Sequence, residues 1–211
     1  MVRGIDISNW NLDVLSQMNF APLKDASMFT IMKASEGITY KDRHLDLFYN
    51  ILHGANDGKP SPDRMYGFYH FARPETCTTP LQEAYNFLRL VKHHTGHAVF
   101  ALDVEAGALS LSQERLDKWV FEWCKIIYDE TGVRPMIYCS ASQTHRFERA
   151  AEFSCGLWVA KWSKNKPTKK EIAPWDFWAI WQDGTSGGRL DTDYFNGDIE
   201  AWKKYCKGDR K

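Results

Sequence analysis

Apolar runs of strand length, rich in β-branched and aromatic residues, recur at residues 2–7, 29–34, 65–71, 98–104, 135–139, 157–160 and 177–182, with a shorter one near Leu190. They predict about eight strands. Between the earlier ones the apolar positions switch to helical spacing: Phe48, Ile51, Leu52 and Ala55; Leu81, Ala84, Leu88 and Val91; Leu116, Trp119, Val120, Trp123 and Ile127. Strands alternating with helices imply right-handed crossovers and a parallel sheet, either a closed barrel or an open doubly wound sheet. The last three strands follow one another without room for full helices, so an incomplete barrel of five βα units fits best. One domain over residues 1–205 is expected, with a basic tail at 206–211 and no room for a second binding domain.

Composition narrows the partners. Lys plus Arg and Asp plus Glu each number 27, so no net field draws the chain to nucleic acid or an anionic membrane. No apolar run approaches the roughly 20 residues of a membrane span, and Asp6 falls where a signal peptide needs apolar residues. Neither nucleic-acid binding nor membrane insertion is expected, and a monomer is. The five cysteines (Cys77, Cys124, Cys139, Cys155, Cys206) are odd in number and form no C-x-x-C pair, which predicts reduced thiols and no disulfide framework. Aromatic residues reach 14%, enough for a core and for flat faces on which sugars stack.

The chemistry concentrates in Ala101-Leu102-Asp103-Val104-Glu105-Ala106-Gly107, where two acids end an apolar strand. Side chains two apart share one face of a strand. In a parallel βα fold that end faces the ligand site. Neighbouring carboxylates raise one another's proton affinity, so one can stay protonated as a general acid while the other is charged, as glycosidic cleavage requires. An isolated D-x-E is more often the start of a solvated loop. Asp6, opposite in facing to Ile5 and Ile7 on the first strand, and Asp191 on the last strand shift that balance, because acids so far apart in sequence meet only if the sheet closes.

Eight motifs follow one another along the chain: Gly4-Ile5-Asp6-Ile7-Ser8-Asn9-Trp10, Met32-Lys33-Ala34-Ser35-Glu36-Gly37, Gly67-Phe68-Tyr69-His70-Phe71, Ala101-Leu102-Asp103-Val104-Glu105, Met136-Ile137-Tyr138, Leu157-Trp158-Val159-Ala160, Ile180-Trp181-Gln182 and Leu190-Asp191-Thr192-Asp193-Tyr194-Phe195-Asn196-Gly197. In these motifs and their order the chain resembles, nearly end to end, the lysozymes (N-acetylmuramidases) of glycoside hydrolase family 25. The resemblance implies an α/β fold, a single-domain incomplete TIM-like barrel of (β/α)5(β)3 type. It implies cleavage, with retention, of the β-1,4 bond from N-acetylmuramic acid to N-acetylglucosamine in peptidoglycan, without a cofactor. Glu105 is then the general acid with Asp103 assisting, and Asp6 and Asp191 complete the acidic pocket. An endolysin made in a host cytoplasm and released to the wall is the implied setting, with secretion by another route as the alternative.

Tyr69, Tyr138, Trp10 and Trp162 are candidates for stacking on sugar rings, and Gln182 for a polar contact. Lys33 and Glu36 read as an ion pair, either lining the groove or bracing the strand end. His70 alternates with Tyr69 and reads as a core histidine. The sequence departs from the family pattern at Ser35, where Thr is commoner, and at Asp193, where Asn is commoner. Asp193 is expected to point to solvent, the alternative being that its charge raises the proton affinity of Asp191. His93 and His97 have an i, i+4 spacing known from metal sites but lack the following Glu, so they read as positive groups at a helix end. Residues 54–59 read as a turn, and the lysine-rich stretch 164–170 as a solvated loop. Two rivals remain: a family-18-like chitinase, which lacks its D-x-x-D-x-D-x-E run here, and a wall-binding module without activity.

Overall fold

Alternation of facing along each strand builds a barrel with two buried surfaces. The computed structural model describes residues 1–54 and 64–208, so the turn read at 54–59 and the end of the tail lie almost wholly outside the described residues. The strands are β1 (Val2–Ile7), β2 (Phe29–Glu36), a short β3 (Tyr40–Lys41), β4 (Tyr66–Phe71), β5 (Val99–Asp103), β6 (Met136–Ser140), β7 (Gly156–Ala160), β8 (Ile180–Ser186) and β9 (Leu190–Phe195). From β1 through β2, β4, β5, β6 and β7 to β8 the neighbours are parallel. Strand β9 then runs antiparallel to both β8 and β1 and closes the ring, while β3 only extends the end of β2. Gly187 and Gly188, at φ +61° and +70°, turn the β8–β9 hairpin through a region other residues enter at a cost.

Helices α1 (Leu12–Gln17), α2 (Ala21–Lys24), α3 (Leu45–His53), α4 (Pro80–Val91), α5 (Gln113–Thr131), α6 (Glu148–Glu152) and α7 (Ile199–Lys207) accompany the strands. The helical spacings at Phe48, Leu81 and Leu116 mark α3, α4 and α5. Helix α4 starts on Thr79, whose side chain accepts from the Gln82 backbone N–H, with Pro80 in the first turn; α5 ends at Gly132 in the left-handed conformation. Outward residues Ile5, Ile7, Met32, Ala34, Phe68 and Leu102 pack under these helices. Inward residues Phe29, Ile31, Val99, Ala101, Met136, Ile180 and Phe195 fill the barrel. Gly4 and Gly67 are dictated by that interior, since a Cβ on them would lie 2.5 Å from the Phe29 ring and 2.4 Å from a Val99 methyl.

Three details differ from the sequence reading. The strand expected over 177–182 begins only at Ile180, and Phe177 is exposed, because the backbone enters the sheet where Ala179 N–H bonds to the Leu157 carbonyl. Helix α7 runs through Lys207 and buries Trp202 and Cys206, with the Trp202 ring 5.0 Å from both Phe29 and Phe195, so it plugs the end of the barrel remote from the acids. The third is Asp193, described below. His70 faces outward as expected: Ser35 Oγ is 2.8 Å from its Nδ1 and Glu83 Oε2 2.8 Å from its Nε2, all buried. All five thiols are free. Among the described residues no helix is long and apolar enough to cross a membrane.

Candidate active site

The parallel strands end together at one mouth, and β9, running the other way, begins there. Register makes this concrete: Asp6 on β1 lies opposite Asp191 on β9, and Asp103 ends β5 beside Tyr138 on β6. One pocket is lined by Asp6, Ser8, Trp10, Lys33, Tyr69, Phe71, Asp103, Glu105, Tyr138, Trp158, Gln182 and Asp191. The four acids predicted from sequence therefore converge. A second groove continues from it past Trp10 and Lys33 to Glu36, Tyr40, Arg43 and Arg73.

Local backbone explains how Glu105 is presented. Val104 N–H still bonds to the Tyr138 carbonyl, continuing the sheet one residue past β5. Ala106 then takes φ +49°, which turns the chain sharply into a short 3₁₀ segment (Ala106–Ser110), with Ala108 N–H closing on the Glu105 carbonyl. A left-handed alanine costs on the order of 1 kcal/mol, and here the turn leaves Glu105 at the rim, partly open to solvent.

Behind it Asp103 is buried, and its Oδ1 has no hydrogen-bond partner. Burial, then the charge of Glu105, hold the Asp103 proton well above the usual carboxylate range, against the pull of Lys33. Glu105 is raised by its own partial burial and by Asp191, again against Lys33. Asp6 is pushed up to about 7, first by burial and next by Asp191, while hydrogen bonds from Gln182 and Asp193 oppose the rise. Asp191 is raised by burial.

Gln182 organises the pocket's far wall. Tyr138 O–H donates to its Oε1 at 3.0 Å and Trp162 Nε1 donates to the same oxygen at 2.9 Å, which turns the amide so that Nε2 donates to Asp6 Oδ2 at 2.8 Å. Trp162 and Trp10 are both exposed, at 64% and 81%. Tyr69 is buried deeper in the pocket, edge-on to Trp158. Lys33 and Glu36 pair at 2.7 Å, and Arg73 Nε meets the other Glu36 oxygen at 2.8 Å, so the pair lines the groove and braces the strand end at once.

Asp193 corrects the expectation of a solvent-facing side chain. It is fully buried inside the barrel, where Trp158 Nε1 donates to its Oδ1 at 2.8 Å. Period two puts it on the same face as Asp191, one step deeper, and that was the available signal. Ser8, Phe71 and Trp158 were also not singled out; Trp158 alternates with Leu157 and Val159 and so had to face inward.

The family model for Glycosyl hydrolases family 25 matches residues 5–191, which takes in all four acids. Lysozyme M1 of Streptomyces globisporus is 30% identical over 93% of this chain and 68% of its own length. A family GH25 lysozyme structure from Aspergillus fumigatus superposes with TM-score 0.73 at 26% identity, covering 98% of this chain and 99% of that one. The fold is equally that of a muramidase from Acremonium alcalophilum, with TM-score 0.76 at 24% identity over 99% and 100% of the two chains. A closed barrel with its acids at one mouth, and a family match that spans them, place this chain in glycosyl hydrolase family 25.

Proposed function

We propose that the chain is a muramidase that hydrolyses the β-1,4 bond between N-acetylmuramic acid and N-acetylglucosamine with retention, Glu105 donating the proton to the leaving oxygen. The observation that carries this is the pairing of a rim carboxyl of raised proton affinity with three further acids in one pocket. Such an acid holds its proton to higher pH than a free Glu, ready for the glycosidic oxygen to take it. Asp6, once its proton leaves at about 7, supplies negative charge that offsets the oxocarbenium-like transition state, while Asp103, whose proton is held more tightly, stands beside Glu105 as a neutral acid and assists it. Asp191 adds to that field from the opposite strand.

Trp10, which lines the pocket, and Trp162, bonded to Gln182 in its wall, are both exposed and offer their faces to sugar rings, while Tyr69, Tyr138 and Gln182 line the pocket wall where a ring would enter. Lys33 and Glu36 extend the contact surface into the adjoining groove. The setting we propose is lysis of a bacterial wall in the manner of an endolysin, with the glycan strands as partner and no cofactor.

Mass spectrometry of borohydride-reduced digests of purified peptidoglycan tests the bond cleaved. Reduced muramic acid at the new ends is expected. Reduced glucosamine would assign the chain a different glycosidic specificity, and an unaltered wall would leave a binding module. Product NMR within the first minutes of digestion tests retention, since the β-anomer must appear before it mutarotates.

A further inference from the structure

Asp193 is the group that this reaction scheme leaves without a task. It sits inside the barrel with no exposed surface, and although Trp158 donates to Oδ1, its Oδ2 is buried and receives no hydrogen bond from any described N–H or hydroxyl. Across the β1–β9 ladder it stands opposite Gly4, which has no side chain, and diagonal to Asp6 on the same inward face, so the two carboxyls are neighbours. Two carboxylates cannot bond to each other without a proton between them. Each accepts from one fixed donor, Asp193 from Trp158 and Asp6 from Gln182, whose amide Tyr138 and Trp162 orient. Burial therefore decides which carries the proton: Asp6 lines the open pocket while Asp193 has no exposed surface, and the neutral form falls to Asp193.

We propose that Asp193 is a positioning residue: as a neutral acid it donates its O–H to the Asp6 carboxylate, so that Asp6 is held charged and oriented between two donors, Gln182 and Asp193. The same side chain would be an unpaired buried anion if it lost that proton, and nothing on β7, β8 or β1 offers it a cation. The groups around the pair are Asp191 on β9 itself, Glu105 and Asp103 from the end of β5, Tyr138 on β6 and Tyr69 on β4, all acids. Lys33 on β2 acts on Asp103 and Glu105. Burial followed by Asp6 raises the Asp193 proton affinity well above the carboxylate range, in the direction this arrangement needs.

The test compares Asp193→Asn, which keeps a donor that cannot titrate, with Asp193→Ala, which removes the donor. It rests on Asp6 acting as a carboxylate in the reaction proposed above, and one readout is free of that reading. In protein carrying ¹³C-carboxyl aspartate, the wild-type Asp6 and Asp193 carbons should titrate together in two steps that belong to the pair. In Asp193→Asn the Asp6 carbon should lose the step it shares with Asp193 and keep its main midpoint within about 0.3 of the wild-type first step; in Asp193→Ala that midpoint should rise by about one pH unit for the lost donor. The acid limb of kcat/KM on purified peptidoglycan should follow the same order, whatever the rates.

Independent one-step titrations in the wild type, or the same displacement in Asn and Ala variants, would overturn the proposal. Carbons that behave as described while kcat/KM ignores them would uphold the shared proton and remove Asp6 from the reaction. Should Asp193→Ala fail to fold, the comparison of wild type with Asp193→Asn decides alone, because the step in which the Asp6 and Asp193 carbons shift together must vanish with the Asp193 carboxyl while any step shared with Asp191 remains.

Discussion

Lys33 supplies a quantitative check on the electrostatics of the pocket. It enters from β2 with its side chain 8% exposed, 2.7 Å from Glu36 and 4.5 Å from the centre of the Phe71 ring. Its charge lowers the proton affinity of both Asp103 and Glu105 against the burial that raises them. Lys33→Met keeps the length and packing of the stem and removes the charge. An opposite charge nearby moves a carboxyl by about 1–3 units, and the partial exposure of Glu105 selects the low end, about one unit or about 1.4 kcal/mol. The sign follows directly: without the cation Glu105 keeps its proton to higher pH, so the alkaline limb of kcat/KM moves up by about one unit. Glu36 retains Arg73 Nε at 2.8 Å, so the fold should lose only about 1 kcal/mol, or about 2–4 °C in Tm. Turbidity assays on purified peptidoglycan from pH 3 to 9 at fixed ionic strength give the first number, and thermal unfolding followed by circular dichroism the second. An alkaline limb that stays in place or moves down would refute the claim that Lys33 opposes proton retention at Glu105.

Three further outcomes are expected. Glu105→Gln keeps the shape of the side chain and removes the acid, so peptidoglycan lysis should fall by about 10²–10⁴ with glycan binding and Tm retained; activity within threefold of the parent would take Glu105 out of the acid role. Gly67→Ala drives a Cβ to 2.4 Å from Val99 inside the barrel and should cost about 1–3 kcal/mol, measured as a lower denaturant midpoint; an unchanged midpoint would mean the interior has slack there. Chelators and thiol reagents should leave activity intact, since four of the five cysteines are buried and exposed Cys77 does not line the pocket; loss of lysis with EDTA and recovery with one metal would point first at His93 and His97.

The barrel was legible because each strand announces its two faces. In Gly4-Ile5-Asp6-Ile7 the isoleucines go under the helices and Asp6 into the mouth; in His70-Phe71 and Tyr69 the same alternation sends His70 to Glu83 and Tyr69 to the pocket. What was not legible depends on long-range pairing. The α7 apolar positions Ile199, Trp202 and Cys206 are few and set among lysines, so only the open end of the barrel gives them a reason to be buried. Asp193 was misplaced for an energetic reason: an ionised carboxylate in a barrel interior is too costly, and solvent was the cheaper place for it. The cost disappears once the residue is neutral and bonded to both Trp158 and Asp6.

Reversal of the last strand is what makes that neutral acid possible. A strand parallel to its neighbours would bring only its final residues to the mouth, as β5 does with Asp103. Strand β9 instead starts at the mouth, so Asp191 stands at the rim opposite Asp6, and Asp193 lies two residues further into the barrel, still beside β1. Four acids thus line one cavity with a fifth, Asp193, buried beneath them, and burial or mutual repulsion raises the proton affinity of each. By linkage, a raised folded-state value contributes stability that is present below the unfolded value and lost as pH rises through the folded one. The cluster therefore favours the fold on the acid side and weakens it as the pocket ionises, with Asp6 losing its proton at about 7. The same protons serve both ends: they let five carboxyls pack together, and one of them, on Glu105 at the rim, is the proton the glycosidic oxygen receives.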